Sequence, residues 1–520
     1  MDRRNFLLAS AACALYRGSA ETMQEQQNNS LLSEKSLRDK LMRDPLRPQF
    51  HLLPAANWMN DPNGPMYWDG EYHLFYQYNP DGACCAQMHW GHAISPDLIH
   101  WKHMPIALSP TENSYDSYGC FTGSALPGTE VASVIYTGVS KVPRAQETIR
   151  AEGLREVQCI ATSTDADLRT WRKLDQPVIE APPQGVKVVG FRDPFSWKDG
   201  DTWYVGVGSG FPQVGGAVLL YRSSDARHWE YVHPLAQGSW NGKSFTNPVG
   251  SGEMWECPDF FPLGDKHILL YNTQGANYWE VGTYDNRELR FHSERKGFLD
   301  HGVCFAAKSM MDGQNRRIIW GCILETRPHE VTLAAGWAGA MSLPRQLTLS
   351  PDNELRMEVP PEFASLRTNT VVVNAPRDSK ELEYAQSRAV IHNRAGEIVC
   401  TFKAAKLDCG LELLIGSSLD RTTLFKVQNG VSIGETPSII VGDRTLALSP
   451  DQSGYSILHL WIDGSIIELF ADAKQVITMR CYATAEEPSD IHVRWTGRAD
   501  SLISLMVSDI TPISNDRLTT

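Results

Sequence analysis

One short pattern recurs five times along the first two thirds of the chain. A run of aromatic and apolar residues breaks at a glycine turn and resumes: at 66–78 around Asp69 and Gly70, 126–136 near Gly128, 195–207 at Asp199 and Gly200, 260–272 at Gly264 and Asp265, and 310–323 at Asp312 and Gly313. Each run reads as two strands joined by a tight turn, because Gly and Asp accept the backbone angles such turns require. The turn glycines stand 58, 72, 64 and 49 residues apart. A second signal runs in the same phase, an aspartate four residues ahead of a tryptophan: Asp97 and Trp101, Asp167 and Trp171, Asp225 and Trp229. Five β units of this length suit a five-bladed β-propeller, whose innermost strands line a central channel; a large β-sandwich or barrel is the alternative.

Three acids keep a similar place within the units. Asp61, Asp193 and Glu256 each lie beside or near a proline and seven to nine residues ahead of Gly70, Gly200 and Gly264. A ring of repeats would bring these distant positions together, which favours the propeller. Two or three convergent carboxylates are what glycoside hydrolysis uses. Each acid also has a plainer local reading. Trp58-Met59-Asn60-Asp61-Pro62-Asn63-Gly64 could be a simple turn, although Asn60 could also bond a sugar hydroxyl. The Arg192-Asp193 pair could be a surface ion pair worth about 1 kcal/mol or less. In Trp255-Glu256-Cys257-Pro258-Asp259, a ring beside the acid would desolvate it and favour the proton-donating form.

Composition narrows the substrate class. The 48 Lys and Arg against 61 Asp and Glu leave a formal charge of -13, which argues against nucleic acid or an anionic membrane as partner. Fifteen Trp and seventeen Tyr offer flat faces for sugars, or simply fill a β-rich core. Residues 1–20 read as an export signal of twin-arginine type: Arg3 and Arg4, an apolar stretch to Tyr16, then Gly18, Ser19 and Ala20. The expected location is therefore periplasmic or extracellular, with no membrane span in the mature chain. Eleven cysteines are scattered without a CxxC pair, Cys84 and Cys85 being adjacent. They read as buried thiols and not as a structural zinc site. His89 and His92, three apart in a strand, would face opposite sides, so no metal is expected there.

Domain boundaries follow from these patterns. A polar segment at 21–46, with a short helix near 31–42, precedes a propeller at 47–345. The prolines at 351, 360 and 361 mark 346–364 as a linker. Short strands then recur at 370–373, 389–391, 397–402, 411–415, 456–461, 466–471, 476–481 and 502–507, with a turn at Asp463 and Gly464, which predicts a β-sandwich over 365–515.

The heptapeptide around Asp61, the Arg192-Asp193-Pro194 triplet and the Trp255 to Asp259 stretch together resemble the three signature motifs of glycoside hydrolase family 32, the invertase, inulinase and levanase group. Gly119–Ala125 (GCFTGSA), residues 136–138, 299–302 and 336–345 (GWAGAMSLPR) also resemble that family, and Trp461, Asp463 and Glu468 resemble its C-terminal module. The resemblance implies an all-β chain, a five-bladed propeller followed by a β-sandwich, acting on β-fructofuranosides such as sucrose, inulin or levan with retention and without a cofactor. It implies Asp61 as nucleophile, Glu256 as acid/base and Asp193 as transition-state stabiliser, with Arg192 keeping Asp193 ionised. Asn60, Gln77, Phe121, Trp255 and Trp337 match positions around the fructosyl unit, with Trp58 and Trp90 as nearby walls. Cys85 and Ala86 depart from the pattern, standing where the family usually has Trp and Gly, so an aromatic wall is missing at the pocket mouth. A fructosyltransferase would use the same three acids. A binding protein without activity would be expected to lack the nucleophile or the acid, and both are present.

Overall fold

The computed structural model describes residues 35–518 apart from 149–152, 244, 407–408, 418–419, 434–435 and 483–489. The export signal expected at 1–20 and the start of the expected helix near 31–42 lie outside the described residues; helix is present over 35–43. Among the described residues, five small antiparallel sheets stand around a ring, and two six-stranded sheets follow them.

The first sheet, or blade, runs outward through Asn57–Trp68, Glu71–Asn79, His89–Ser95 and Lys102–Leu108. The next three begin at Gly119–Ala125, Phe191–Asp199 and Glu256–Leu263, and the fifth at Cys304–Met311. These five innermost strands neighbour one another in order, and the fifth returns to the first. The ring is joined where Asn57 and Trp58 pair in parallel with Trp337 and Ala338. The hairpins close at the expected turns. In the first blade Asp69 and Gly70 both have positive φ (49° and 88°), the geometry of the two-residue turn that matches strand twist.

Strand alternation builds the seams between blades. Val134 and Tyr136 face the first blade's Phe75 and Trp90, whereas Ile135 between them faces Phe191 and Val205 of the third. Phe195, Val218, Leu269 and Tyr271 fill the next seam. Inner strands are therefore buried on both faces, while the outermost strand of the first blade is largely exposed. The Asp-to-Trp signal marks the turn into the outer strand. Asp97 accepts the amides of Ile99 and His100, and Asp225 those of Arg227 and His228. In the second blade that acceptor is Asp165 rather than Asp167, which lies exposed against Arg169.

Two expectations change. Residues 346–364 are not simply a linker: Arg345–Leu349 and Leu355–Glu358 are the outer strands of the fifth blade, since Pro351 falls in the hairpin's turn and Pro360 and Pro361 beyond its ladder. The sandwich also contains strands Asp420–Ile433, Thr436–Val441, Arg444–Ala447 and Ile491–Trp495, and helix Ser379–Gln386, none of them expected. Asp378 caps the helix by accepting the Glu381 amide, and Glu381 accepts the amide of Arg377, the residue before the cap.

A buried ionic network joins the two domains. The sandwich's Asp463 accepts the amides of Gln49, Phe50 and His51 (2.6, 2.8 and 3.0 Å) and His51 Nδ1 (2.8 Å). Glu468 accepts His51 Nε2 (3.0 Å), the Leu343 amide (2.7 Å) and Arg345 Nη2 (2.7 Å). Arg345 Nη2 also reaches Asp300 of the fourth blade. Both ring nitrogens of His51 face carboxylates, which only accept, so the ring carries both protons. Burial opposes that charge, yet the bonds to Asp463 and Glu468 hold the imidazole above its ordinary range. Removing the cation takes a charged partner from two buried carboxylates, so His51→Gln should cost about 3 kcal/mol of stability in urea unfolding; a loss within error of zero would contradict the network's structural weight.

Candidate active site

Each innermost strand carries a β-bulge near the end where it enters the ring, opposite the face with the glycine turns. Two residues stand against one: Asn60 and Asp61 against Gln77, Phe121 and Thr122 against Thr137, Asp193 and Pro194 against Val207, Cys257 and Pro258 against Tyr271, and Ala306 and Ala307 against Gly321. Bulges bend a strand and re-aim its side chains. In the third, fourth and fifth blades the first bulge residue adopts positive φ: Asp193 at 62°, Cys257 at 48° and Ala306 at 55°. Pro194 and Pro258 occupy second bulge positions, outside the paired ladder, where a missing N–H is tolerated. This accounts for the prolines near Asp193 and Glu256; Pro62, next to Asp61, instead pairs with Tyr76 just past its bulge.

The bulges bring Asp61, Thr122, Asp193 and Cys257 together from four blades, with Glu256 one residue before the fourth. Asp61 Oδ2 accepts from Thr122 Oγ1 (2.7 Å) and Cys257 Sγ (3.4 Å); its Oδ1 accepts from Asn60 Nδ2 (3.2 Å) and Cys322 Sγ (3.6 Å). Asp193 Oδ2 accepts the Cys257 amide (2.9 Å) and Cys257 Sγ (3.5 Å), while the Asp193 amide donates to Thr137 Oγ1 (2.9 Å). One thiol thus touches both aspartates.

Arg192 organises the acids. Its Nη2 lies 2.6 Å from Glu256 Oε1, its Nη1 3.0 Å from Glu156 Oε1, and its Nε 3.9 Å from Asp193 Oδ2. Glu156, buried on the second blade, also accepts the Phe191 amide at 2.6 Å, which fixes the chain next to Arg192. Three carboxylates surround one guanidinium. Burial pushes the Asp193 carboxyl up to about 7; Arg192 pulls it down, Glu256 and Asp61 push it further up, and the Cys257 amide draws it down.

The chain matches the model of the glycosyl hydrolases family 32 N-terminal domain over residues 51–359 and that of the family 32 C-terminal region over 365–509. The chain belongs to family 32 of the glycosyl hydrolases. It is 35% identical over 459 residues to a sucrose-6-phosphate hydrolase of Escherichia coli, spanning 85% of this chain and 90% of the relative. A raffinose invertase of Escherichia coli is 32% identical over 468 residues, spanning 84% and 90%. Fructan 1-exohydrolase IIa from Cichorium intybus superposes with a TM-score of 0.74 at 26% identity, over 90% of this chain and 98% of that one. A substituted family 32 β-fructofuranosidase from Bombyx mori, solved with sucrose, gives 0.72 at 26% identity over 95% and 99%.

Within this family 32 site the expected residues divide by position. Trp58 donates to Asn60 Oδ1 (2.9 Å) and packs with Met88, Ala338, Cys85 and Phe121, forming a wall beside Asp61. Cys85 is half-buried there, its thiol pushed up to about 11 by burial and by the Asp61 charge. Gln77 donates to the Cys120 carbonyl (3.0 Å) and Trp90 to that of Phe121 (3.0 Å), so both stitch the first blade to the second from behind the bulges. Two tryptophans are placed elsewhere. Trp255 stacks on Tyr271 at 3.8 Å in the seam between the third and fourth blades, where Gly216 and Gly238 leave room for its ring. Glu256 consequently meets Arg192 rather than a desolvating indole. Trp337 is buried at the ring junction, bonded to Asp44 (2.7 Å) beneath Arg327. Arg192 makes its short bonds to Glu156 and Glu256, so Asp193 is oriented chiefly by Cys257. Thr122, Cys257, Cys322 and Glu156 were not singled out from sequence; Thr122 and Cys257 lie inside motifs that were.

The raised Asp193 carboxyl has a consequence for stability. Between its usual 3.8 and about 7 the folded protein binds the proton that the unfolded chain has released, so this group makes stability fall as pH rises through that window. Asp193→Asn keeps an acceptor for the Cys257 amide and removes the charge. It should raise unfolding free energy by about 1–4 kcal/mol at pH 8 and much less at pH 4 in urea titrations; an equal change at both pH values would contradict the raised carboxyl.

Proposed function

We propose that the protein hydrolyses β-fructofuranosides, sucrose or inulin- and levan-type fructans, releasing fructose with retention through a fructosyl-enzyme. The observation that carries this reading is the convergence of Asp61, Asp193 and Glu256 at one end of the propeller channel, Asp61 and Asp193 meeting at Cys257 and Asp193 and Glu256 at Arg192. The names of its relatives and of the sucrose-bound neighbour support the substrate class.

In this mechanism Asp61 attacks the anomeric carbon, its carboxylate already oriented by Thr122. Glu256 protonates the departing oxygen and then deprotonates the incoming water, as a retaining pair requires. Asp193 receives fructosyl hydroxyls, in bonds that strengthen as positive charge grows on the ring. Arg192 is paired with Glu156 as well, so its charge stays compensated when Glu256 becomes neutral. Arg3 and Arg4 ahead of an apolar stretch support export of the enzyme. Among the described residues no helix is long and apolar enough to cross a membrane.

Asp61→Asn should retain the fold and bind sucrose while losing about 10⁴-fold or more in kcat; ready fructose release by that variant would overturn the assignment. Glu256→Gln should lose about 10²–10⁴-fold on sucrose but far less on a nitrophenyl fructoside, whose leaving group needs no proton. Equal losses on the two substrates would remove Glu256 from the acid role.

A further inference from the structure

The second strand of the fifth blade places a group at the site that the mechanism above leaves unused. Cys322 sits on Arg317–Ile323, one residue past the Gly321 that opposes the fifth bulge, and reaches across the ring junction to Asp61 Oδ1 at 3.6 Å. Its side chain is buried, and burial, followed by the charge of Asp61, keeps the thiol well above its ordinary range. It therefore remains S–H and can act towards the carboxylate as a donor.

The two oxygens of Asp61 are held unequally. Oδ2 takes a hydroxyl bond of 2.7 Å from Thr122 together with the Cys257 thiol at 3.4 Å. Oδ1 takes the Asn60 amide at 3.2 Å and the Cys322 thiol at 3.6 Å. A short hydroxyl bond withdraws electron density from the oxygen that accepts it, whereas a thiol is a weak donor. Oδ1 is thus the more electron-rich of the two. We propose that Cys322 is a positioning residue for the nucleophile: opposite the Thr122 bond on Oδ2, its weak S–H bond steadies the Oδ1 side of the Asp61 carboxylate while leaving Oδ1 nucleophilic. This rests on the reading of Asp61 as the nucleophile.

The groups around Asp61 are the Asp193 carboxyl of the third blade, the Cys257 thiol of the fourth, the Cys322 thiol of the fifth and the Cys85 thiol of the first-blade loop. Arg192, Glu256 and Lys308 stand one contact further out. Replacing Cys322 deletes none of the other groups; because it packs with Cys257 and Ala306, melting temperatures are followed beside activity. Cys322→Ala removes a donor from the ionised carboxylate and Cys322→Ser supplies a stronger one, so the two move its protonation in opposite directions.

The test is the pH profile of kcat/KM on sucrose for the parent, Cys322→Ala and Cys322→Ser, alongside their melting temperatures. In Cys322→Ala the acid limb should move up by about half a pH unit and kcat fall about threefold with KM little changed. In Cys322→Ser the acid limb should move down from the parent's. Acid limbs that coincide in all three proteins would overturn the proposal, whatever the melting temperatures do, since a mere space-filling role predicts that result. Failure of the underlying reading is seen separately, as fructose release by Asp61→Asn.

Discussion

The two-against-one bulge in every innermost strand is the constraint on which the site depends. A regular strand would point alternate side chains into the flanking seams, and acids on neighbouring blades would not share a focus. The extra residue breaks the alternation at the same height in all five blades. It leaves Asp193, Cys257 and Ala306 in a left-handed backbone that costs of order 1–3 kcal/mol each. The seams, filled by residues such as Phe75, Phe195 and Leu269, hold that backbone in place. The bulges also give the three acids distinct stations: Asp61 is a second bulge residue, Asp193 a first, and Glu256 precedes its bulge. Their similar distances from the turn glycines conceal this difference in role.

Charge within the site is arranged around scarcity. Arg192 serves Glu156, Glu256 and, at longer range, Asp193. Backbone amides and hydroxyls make up the remaining acceptor demand, as when Thr122 serves Asp61 and the Cys257 amide serves Asp193. A single cation shared among three acids leaves their charge only partly compensated, and the buried Asp193 carboxyl is the one pushed up as a result.

Much of this was legible in the chain because the features that announce themselves are backbone requirements. Asp69 and Gly70 mark a turn by their angles, and Pro194 and Pro258 mark places outside the ladder. The placement of side chains was less legible. Trp255 stands beside Glu256 in sequence, yet consecutive residues near a bulge point apart, and the space offered by Gly216 and Gly238 draws the ring into a seam. Trp337 is similarly drawn to Asp44 and Arg327. Cys322 carries no motif of its own, because its meeting with Asp61 exists only once the ring has closed. The strands missed in the sandwich, such as Asp420–Ile433, mix polar residues into their alternation and lack a strong turn signal on both sides.

The network at the domain boundary bears on how the chain is made. Ring closure runs through the short parallel bridge between Asn57–Trp58 and Trp337–Ala338. Just ahead of that bridge, the amides of residues 49–51 and the ring of His51 find their acceptor in Asp463. During synthesis these early donors must wait for more than four hundred further residues. All five blades leave the ribosome before the carboxylates that clasp the first of them to the last, so maturation of the catalytic ring is timed by the sandwich.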